Sequence, residues 1–530
     1  MDSVSLPTDV KALQRLLLQT QAELNSACAT IEEQHGKLAA AQQQIVELLR
    51  AMRGKQRERI DPDQLLLFQI GELEKFIDEQ GTKAEEPARR RKRKRGRRLI
   101  PDDAPREEVF HELLEEDRLC PHDGQPMPLI RYEESEQLEY VPPKVKVLVH
   151  KRAVYACPLK HDDAKLVTAP EPPQPIEKGL AAPGLLSAMV VGKFGDHLPG
   201  YRLEDILSRH GVEIPRNTIY GWLASVAELV TPIVELMKQR VLQSKVIHTD
   251  DTQVKLIDRS IRSTRLARFW AYIGDPDHPY TIYDFTKTRQ RAGPQAFLKD
   301  YAGYLQADAY GGYDGIYVDA GGKIKEVACW AHCRRYWWKA REHDAARSHH
   351  VLALIGRLYE IERATGEAEE ATIDRDQLQS LRAEHAAPIL TEFQHWLDTE
   401  QFLPKSQIGK AATYTRNQWE ALNRYLEDGA LSIDNNLAER AMKNVAIGRK
   451  AWLFVGSTLA GERAANLMSL IASCKANRVE PWAYLRDIFT QLPLGTDPER
   501  LLPDQWLMAN PNHRWTIADR RAKERKKIRM

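Results

Sequence analysis

The order of apolar runs and acidic residues between positions 246 and 335 constrains the fold most strongly. Val246–Asp250 is an apolar run that arrives at a carboxylate. Two further runs, Phe269–Ile273 and Tyr280–Phe285, read as β-strands joined by the turn Gly274–Asp277. This stretch therefore predicts three antiparallel strands, the first of them ending at an acid.

A second strand that ends in an acid follows. A helix near Ala292–Asp300 leads into Tyr304–Asp308, and Lys325–Trp330 gives a further strand. Three antiparallel strands, a crossover helix and more strands flanked by helices are the outline of an α/β RNase H-like fold. In that fold the first and fourth strands lie side by side, so Asp250 and Asp308 would meet at one edge.

A third acid lies much farther along the chain. Residues 340–430 read as almost wholly helical, Asp434 takes the position of a helix N-cap, and Glu439 lies a turn and a half into that helix. The spacing fits the fold only if an all-α insertion of about 340–430 precedes the last helix. Three carboxylates brought together can hold two divalent metals, which is the chemistry of cutting and joining DNA. We therefore predict a catalytic domain over 244–475.

The N-terminal segment, residues 1–53, shows a heptad pattern. Apolar residues recur at intervals of seven: Leu17, Leu24, Ile31, Leu38 and Ile45. A second seam is weaker and partly polar. The pattern predicts a coiled coil that makes the chain a homo-oligomer, and the alternative is a single amphipathic helix lying on its own protein.

A basic run follows in residues 54–117, which we interpret as a helical segment and a basic arm. Nine of the ten side chains at 89–98 are basic, beginning with Arg89, Arg90, Arg91, Lys92 and Arg93. The net charge of +2 hides this segregation, because an acid-rich stretch follows. Such a run is rarely packed in a core, and it would bind DNA phosphates without reading sequence. The alternative is a solubilising linker.

Residues 118–170 form a small module rich in β-formers and proline, which we interpret as zinc-finger-like. Cys120 and His122 lie at its start, and Cys157 and His161 lie at its end. Two pairs of ligands separated by a hairpin suggest a zinc knuckle or ribbon, and the alternative is a hairpin whose cysteines are buried. The six cysteines of the chain are too few for a disulfide framework and suit a reducing cytoplasm.

Residues 171–243 read as a helical DNA-binding region. Tyr201–Gly211 is a helix ending at glycine, and a turn and a second helix follow. This is the helix-turn-helix layout, with Arg216, Asn217 and Thr218 at the start of the recognition helix. The alternative is plain helical packing.

The longest mostly apolar stretch, near 181–192, is shorter than the ~20 residues that cross a bilayer, and the N-terminus does not read as a signal peptide. We therefore expect a cytoplasmic protein, associated with the bacterial nucleoid when it is bound to DNA. Residues 476–530 read as a C-terminal helical segment and a basic tail.

The chain resembles the large transposase subunit of the insertion sequence 66 family, a DDE-type transposase. The resemblance rests on long, ordered motifs: HTDDT (248–252), LQADAYGGY (305–313), ACWAHCRR (328–335), DNNLAERAMKNVAIGRKAWLFVGS (434–457) and GERAANLMSLIASCKANRVEPWAYL (461–485). It implies that Asp250, Asp308 and Glu439 are the catalytic, metal-holding acids. The family usually has glutamate where this chain has Asp251, which makes Asp251 a minor rival to Asp250. The family's zinc-finger module commonly carries four cysteines, of which this chain keeps two.

Six further basic residues in these motifs fit supporting roles. Lys443, Arg449 and Lys450 lie beyond Glu439, and His332, Arg334 and Arg335 follow a strand end near the acids. We expect them to contact the DNA backbone or terminal bases, and the alternative is a solvated helix face or structural ion pairs. Cys329 and Cys333 flank His332 but read as core residues.

Together these features predict a DNA transposase that uses two Mg²⁺ ions, with Mn²⁺ as a substitute and zinc in the small module. It would cut at the element ends, and the freed 3′-hydroxyl would attack target DNA. Its partners would be terminal repeats, target DNA, further copies of itself and accessory proteins of the same element. Two alternatives stay open: a non-catalytic DNA-binding scaffold, and an RNase H-fold nuclease that cuts without joining.

Overall fold

A computed structural model describes residues 145–155, 167–170, 172–258, 263–308, 311–366 and 375–515. The chain divides into two compact units, Glu74–His150 and a larger unit of Met1–Leu73 with Lys151–Met530. In the smaller unit, the described residues 145–150 are irregular and exposed. Several predicted features lie outside the described residues: the coiled coil of 1–53, the basic residues Arg89, Arg90, Arg91, Lys92 and Arg93, and the candidate zinc ligands Cys120, His122, Cys157 and His161.

The described strands of the larger unit form one mixed sheet and one small hairpin. In chain order they are β1 (Val154–Tyr155), β2 (Val167–Thr168), β3 (Val246–Asp258), β4 (Ser263–Ile273), β5 (Thr281–Thr286), β6 (Gly303–Gln306), β7 (Ile324–Val327) and β8 (Phe454–Val455). The order in the six-stranded sheet is β5-β4-β3-β6-β7, and β8 also pairs with β3. Strands β3, β4 and β5 are antiparallel, whereas β6 and β7 run parallel to β3.

Strand β3 is longer than the sequence pattern predicts, so Asp250 does not end a strand. The first half of β3 is buried because it lies between β4 and β6. Beyond Asp250 the strand continues to Asp258, since β4 keeps pairing with it along the whole hairpin. Its parallel neighbour β6 ends at Gln306, opposite His248. Asp250 therefore lies just beyond the point where β6 stops pairing with β3.

Helices make up most of the remaining described chain. In order they are α1 (Pro183–Val190), α2 (Gly200–Arg209), α3 (Arg216–Leu229), α4 (Thr231–Val241), α5 (Ala292–Phe297), α6 (Asp314–Asp319), α7 (Trp330–Ala340), α8 (Ala345–Gly366), α9 (Arg375–Leu381), α10 (Ala387–Thr399), α11 (Gln407–Asn417), α12 (Trp419–Asn423), α13 (Asn436–Trp452), α14 (Thr458–Ala476), α15 (Pro481–Gln491) and α16 (Pro503–Ala509). Two π-helical segments, Val191–Gly195 and Arg382–Ala386, continue α1 and lead into α10.

The sheet is covered on both faces. Trp270 and Tyr272 of β4 pack into a core with α1 to α4, α15 and part of α14. Phe269 and Ala271, which alternate with them, pack into a second core with α13 and the rest of α14. Successive side chains of β4 therefore enter the two cores in turn, and both faces of the sheet are buried.

The helical segment between β7 and α13 has a core of its own. Trp330, Trp337 and Phe393 are fully buried there, and helices α7, α8, α10, α11 and α12 supply most of the cluster. Arg382, also fully buried, donates to Glu362 and to the carbonyl oxygens of residues 425, 428 and 431. This network fixes the chain that leads into α13.

The predicted helix-turn-helix segment has two helices in the expected places. Helix α2 ends at Arg209, Gly211 takes a left-handed φ of 76°, and α3 begins at Arg216. In the described ranges, no single helix is long and apolar enough to cross a membrane. Helices α3 and α4 meet that test only together, with a bend of 52° between them.

Candidate active site

The sheet register brings the chain segments of Asp250 and Asp308 together. His248 of β3 pairs with Gln306, the last residue of β6, and each aspartate follows its paired residue by two positions. Asp250 is still within β3, whereas Asp308 lies two residues beyond the end of β6, so the prediction that this strand reaches Asp308 is wrong by two residues. Because side chains alternate along a strand, His248 and Asp250 point to the same face of the sheet. The predicted meeting of these two acids at one edge agrees with this register.

The third acid, Glu439, comes from the first turn of α13. The N-cap of that helix is Asn435, one residue later than predicted. Asp434 still serves the helix start, because its Oδ1 accepts the backbone N–H of Asn436 at 3.0 Å. The prediction of Glu439 in an early turn agrees with the structure, and that of Asp434 as the N-cap is wrong by one residue.

Asn435 fastens the start of α13 to β3. Its side chain is 1 % exposed, its Nδ2 donates to the carbonyl oxygen of Thr249 at 2.8 Å, and its Oδ1 accepts from Nδ1 of His248 at 3.1 Å. Burial lowers the pKa of His248 to about 4, so the imidazole is neutral at physiological pH. Gln306 adds a second tie by donating to the carbonyl oxygen of Ser432 at 2.6 Å.

The electrostatics of the two aspartates reflect their closeness. Burial and the neighbouring charge of Asp308 raise the pKa of Asp250 to about 7. Burial also raises the pKa of Asp308, while His332 and Arg289 oppose that rise. Glu439 raises the pKa of both aspartates by a smaller amount. These carboxyls form one charge-coupled cluster.

Asp251 is bound differently from its neighbour Asp250. Its side chain is 1 % exposed and accepts from Arg268 at 2.8 Å and from Arg289 Nε at 2.9 Å. Arg289 Nη2 lies 2.7 Å from Asp251 and 3.7 Å from Oδ2 of Asp308. Asp251 therefore neutralises and positions two arginines, one of which reaches the acid cluster.

Basic side chains also lie beside Glu439. His332 Nε2 and Arg335 Nη2 of α7 lie 3.7 Å and 3.5 Å from its Oε1. Both side chains are partly exposed. His332 and Arg335 of α7 thus lie beside Glu439 of α13, which is distant from them in sequence. These predicted residues form one group with the two aspartates.

Comparison with known families identifies the family of the chain. A model described as "Transposase IS66 family" matches residues 178–463, which hold all three acids. The chain belongs to the IS66 transposase family. A C-terminal element of the same family matches residues 469–503.

Two further family models match the N-terminal third of the transposase. A "zinc-finger binding domain of transposase IS66" matches residues 117–158 and a "Transposase C of IS166 homeodomain" matches residues 40–109. The first range includes Cys120, His122 and Cys157 and ends before His161.

Similar full-length proteins come from Sinorhizobium fredii strain NGR234. The uncharacterized protein y4jD is 28 % identical over 526 residues, covering 94 % of this chain and 97 % of the relative. The uncharacterized protein y4qI is 29 % identical, again over 94 % of this chain and 97 % of the relative. Neither name states an activity.

The oxygen ligands of the acid cluster fit a hard divalent cation. Oδ1 of Asp308 is buried, and none of the described residues donates a hydrogen bond to it. Within the described ranges, no three His, Cys, Asp or Glu side chains already converge on a common metal position. Instead, Asp308 and Glu439 stand beside Arg289, Arg335 and His332.

The other predicted DNA-binding residues fall into two groups. The exposed side chains of this set belong to α3 and α13: Arg216, Asn217, Thr218, Lys443 and Lys450. Arg334 is only 8 % exposed, and its guanidinium lies 5.9 Å from the ring centre of Trp338. Arg449 donates to Thr252 Oγ1 at 2.9 Å and to the carbonyl oxygen of Gln253. The positions of Arg334 and Arg449 favour the structural alternative for both.

Sequence reasoning missed four residues that shape the site: Arg268, Arg289, Gln306 and Asn435. The amide of Gln306 stands inside an apolar strand, and Asn435 follows Asp434 at a helix start. Both positions were therefore detectable as polar groups in buried settings. Arg289 lies in the polar stretch after β5, where no periodicity marks it.

Proposed function

We propose that this transposase cuts DNA at the ends of its insertion sequence and joins the freed 3′ end to target DNA. The observation that supports the proposal is the position of Asp250 and Asp308, each two residues after the pair His248–Gln306, with the helix of Glu439 tied to β3 by Asn435. Hydrolysis would break one phosphodiester bond and leave a 3′-hydroxyl. That hydroxyl would then attack a target phosphate and displace the target's own 3′ oxygen.

We assign the core to the RNase H-like class. In support, the sheet has three antiparallel strands followed by two parallel ones, with the first and fourth strands adjacent. The helical segment between β7 and α13 then interrupts the fold before its last acid, as the spacing of the acids requires.

Asp250, Asp308 and Glu439 are the residues that would hold two Mg²⁺ ions. When bound, such ions supply an activated water and stabilise the leaving oxygen of the phosphate. Two observations support these ligands. The buried Oδ1 of Asp308 has no hydrogen-bond donor among the described residues, and the pKa of Asp250 is raised. A nearby cation would stabilise the charged form of both carboxylates.

Basic side chains around the acids would bind and orient the scissile strand. Arg335 and His332 stand at Glu439, and Arg289 stands at Asp308. Each is partly exposed, so it can exchange its carboxylate partner for a phosphate oxygen. Asp251 would act as the residue that positions Arg289.

The surrounding segments would select and hold DNA. The exposed start of α3 would enter a groove of the DNA with Arg216, Asn217 and Thr218. On α13, Lys443 and Lys450 would contact DNA phosphates. The basic arm that begins with Arg89 to Arg93 would add sequence-independent binding. Cys120, His122, Cys157 and His161 would hold zinc in the small module, and the coiled coil would join the copies that process the two ends.

An assay on DNA that carries the element ends tests the proposal. Purified protein would be incubated with Mg²⁺ and any accessory proteins of the element, and cleavage and strand transfer would be followed on gels. Wild type should give both products, and Asp308→Asn should give neither while still binding the ends. Asp314→Asn, at the start of α6, is the matched control and should remain active.

Each alternative gives a different outcome. Binding of the ends without cleavage by wild type would favour the DNA-binding scaffold. Cleavage without joined products would favour the nuclease. Cleavage by Asp308→Asn at the rate of wild type would contradict the assignment of the acids.

A further inference from the structure

Two tyrosines of the helical segment form an aromatic shelf, Tyr336 on α7 and Tyr414 on α11. Their rings are stacked, with ring centres 4.5 Å apart and planes inclined by 20°. Tyr414 is partly buried, whereas Tyr336 remains 43 % exposed. Tyr414 thus covers one face of the Tyr336 ring, and a large part of that ring stays accessible to a planar partner.

Buried contacts between α7 and α11 hold the aromatic shelf in place. Nε1 of Trp337 donates to Oγ1 of Thr415 at 2.9 Å, and Sγ of Cys333 lies 3.3 Å from the same oxygen. Trp337 and Thr415, both fully buried, directly follow the two tyrosines in sequence. Because the ring of Tyr336 is already positioned, binding of a ligand to it costs little conformational entropy.

The aromatic shelf lies on the face of α7 that meets the third proposed acid. Four residues of α7 have the spacing of one helix face: His332, Arg335, Tyr336 and Lys339. His332 Nε2 and Arg335 Nη2 lie 3.7 Å and 3.5 Å from Oε1 of Glu439. Tyr336 follows His332 by four residues, which is ~6 Å along the helix axis. This length corresponds to about one or two nucleotides of a DNA strand.

Basic side chains and the acid cluster surround the aromatic shelf. Arg335 directly precedes Tyr336, and the exposed Lys339 follows it by three residues. Burial raises the pKa of Tyr414, and the charge of Asp308 adds a smaller amount to that rise. Proteins that bind unpaired nucleotides combine aromatic rings with basic side chains, because the ring stacks on a base while the cations bind phosphates. The shelf has this composition beside the proposed catalytic acids.

We propose that the aromatic shelf stacks against an unpaired DNA base next to the scissile phosphate. The ring of Tyr336 would cover one face of the base, while Arg335 and Lys339 would bind the phosphates on either side of it. Bases inside a duplex are stacked on their neighbours, so only a nucleotide that has left the duplex can bind in this way. The inference rests on the proposed function for its ligand, and it adds a preference for DNA that is unpaired at the cut.

Binding of two matched DNAs tests the aromatic shelf without any cleavage. In the Asp308→Asn background, which removes the proposed chemistry, fluorescence anisotropy would compare an end-containing duplex with the same duplex unpaired at the terminal bases of the element. The unpaired DNA should bind about fivefold to tenfold more tightly. Tyr336→Phe keeps the ring and should keep this ratio of affinities, whereas Tyr336→Leu should bring the ratio close to one. Because Tyr336 is exposed, the melting temperatures of both variants should stay within a few degrees of wild type.

Photocrosslinking locates the bound base. A 5-iododeoxyuridine at the unpaired position should crosslink to Tyr336 on irradiation, and peptide mass spectrometry would identify the residue. Equal ratios of affinities in the protein with Tyr336 and in both variants would overturn the proposal, as would crosslinks only to residues outside α7 and α11. A ratio that depends on the ring, in a protein that does not cut the ends, would support the shelf and contradict the proposed function.

Discussion

The acids at positions 250, 251 and 308 are close together, yet their surroundings differ. Asp251 is enclosed by Arg268 and Arg289, Asp308 has one buried oxygen that accepts no hydrogen bond from the described residues, and Asp250 has a strongly raised pKa. A metal ion adds little electrostatic stabilisation to a carboxylate that is already paired with two guanidinium groups. It adds much more to a buried carboxylate that lies beside a second carboxylate.

The raised pKa of Asp250 predicts a dependence of stability on pH. In the folded protein its pKa is about 7, whereas an unperturbed aspartate has a pKa of about 3.9. The folded state therefore keeps a proton that the unfolded chain has lost, and its stability falls as the pH rises from about 4 to about 7. The variant Asp250→Asn cannot lose this proton. Without divalent metal, its free energy of unfolding relative to wild type should therefore rise by on the order of 1–2 kcal/mol between pH 5 and pH 8.5.

Denaturant melts of both proteins at the two pH values measure this effect. Addition of Mg²⁺ at pH 8.5 should stabilise wild type and leave Asp250→Asn almost unchanged, because a bound ion stabilises only the state that holds it. If the difference in free energy of unfolding between the variant and wild type is equal at both pH values, the pKa of Asp250 is not raised in the folded protein.

Replacement of Asp251 distinguishes a positioning residue from a metal ligand. Asp251→Asn should leave the stoichiometry of Mn²⁺ binding unchanged, because the residue holds arginines. It should slow DNA cleavage by about tenfold or more, since Arg289 loses its charged partner. Calorimetric titration with Mn²⁺ and single-turnover cleavage give the two values. Loss of an ion from the complex, as expected for Asp308→Asn, would instead make Asp251 a ligand.

At the scale of elements, the position of α13 decides whether the third acid reaches the other two. Asn435 ties its first residues to β3, and Arg449 ties its last turn to Thr252 and Gln253 of the same strand. Both ends of the helix are thus fastened to the strand that carries Asp250. Glu439 is placed by hydrogen bonds at both ends as well as by apolar packing.

Replacement of two adjacent basic residues of α13 should affect stability differently. Arg449→Ala should lower the free energy of unfolding by about 1–3 kcal/mol, because it removes charge-assisted hydrogen bonds and leaves acceptors on β3 unsatisfied. The exposed Lys450 is the matched control, and Lys450→Ala should change stability by less than about 0.5 kcal/mol while weakening DNA binding. Urea unfolding and anisotropy measure the pair. Equal stabilities would mean that Arg449 is not an anchor.

The elements were predictable to the extent that apolar periodicity marks them. The runs around β4, β5 and β6 and the helical segment before α13 follow directly from it. The full length of β3 was not predicted, although Val254 and Leu256 alternate with polar residues in its outer half and are buried there. Pairing with β4 continues along that whole half. The N-cap shifted from Asp434 to Asn435 because a buried amide can bond to β3, a contact distant in sequence. Arg289 was missed for the same reason, since only the fold brings it to Asp251.

At the scale of the whole molecule, the chain combines the sheet that carries the proposed catalytic acids with segments proposed to bind DNA and to join copies. The family match over 178–463 covers the sheet and the helical segment inside it, and other IS66 models match parts of the N-terminal third. Under the proposed function, an assembly of several copies would bring an active site to each element end. The heptad pattern of residues 1–53 supplies the predicted means of assembly.

Deletion of residues 1–53 tests this division of roles. The shortened protein should be a smaller oligomer or a monomer by light scattering, and it should bind a single end with at most a few-fold loss of affinity. Joining of paired ends should fall much more than cleavage of one end, because avidity is lost. An unchanged oligomeric state would favour the alternative that this segment lies on its own chain.

In the proposed function, Asp250, Asp308 and Glu439 bind the metal ions of a DNA-joining reaction. The most direct test replaces each of them in turn with cysteine and measures strand transfer in Mg²⁺ and in Mn²⁺. Because thiolate binds softer ions better than Mg²⁺, each variant should be inactive in Mg²⁺ and recover part of its activity in Mn²⁺. Asp251→Cys should show no such recovery. Loss of activity that is equal in both metals for all three variants would contradict the assignment.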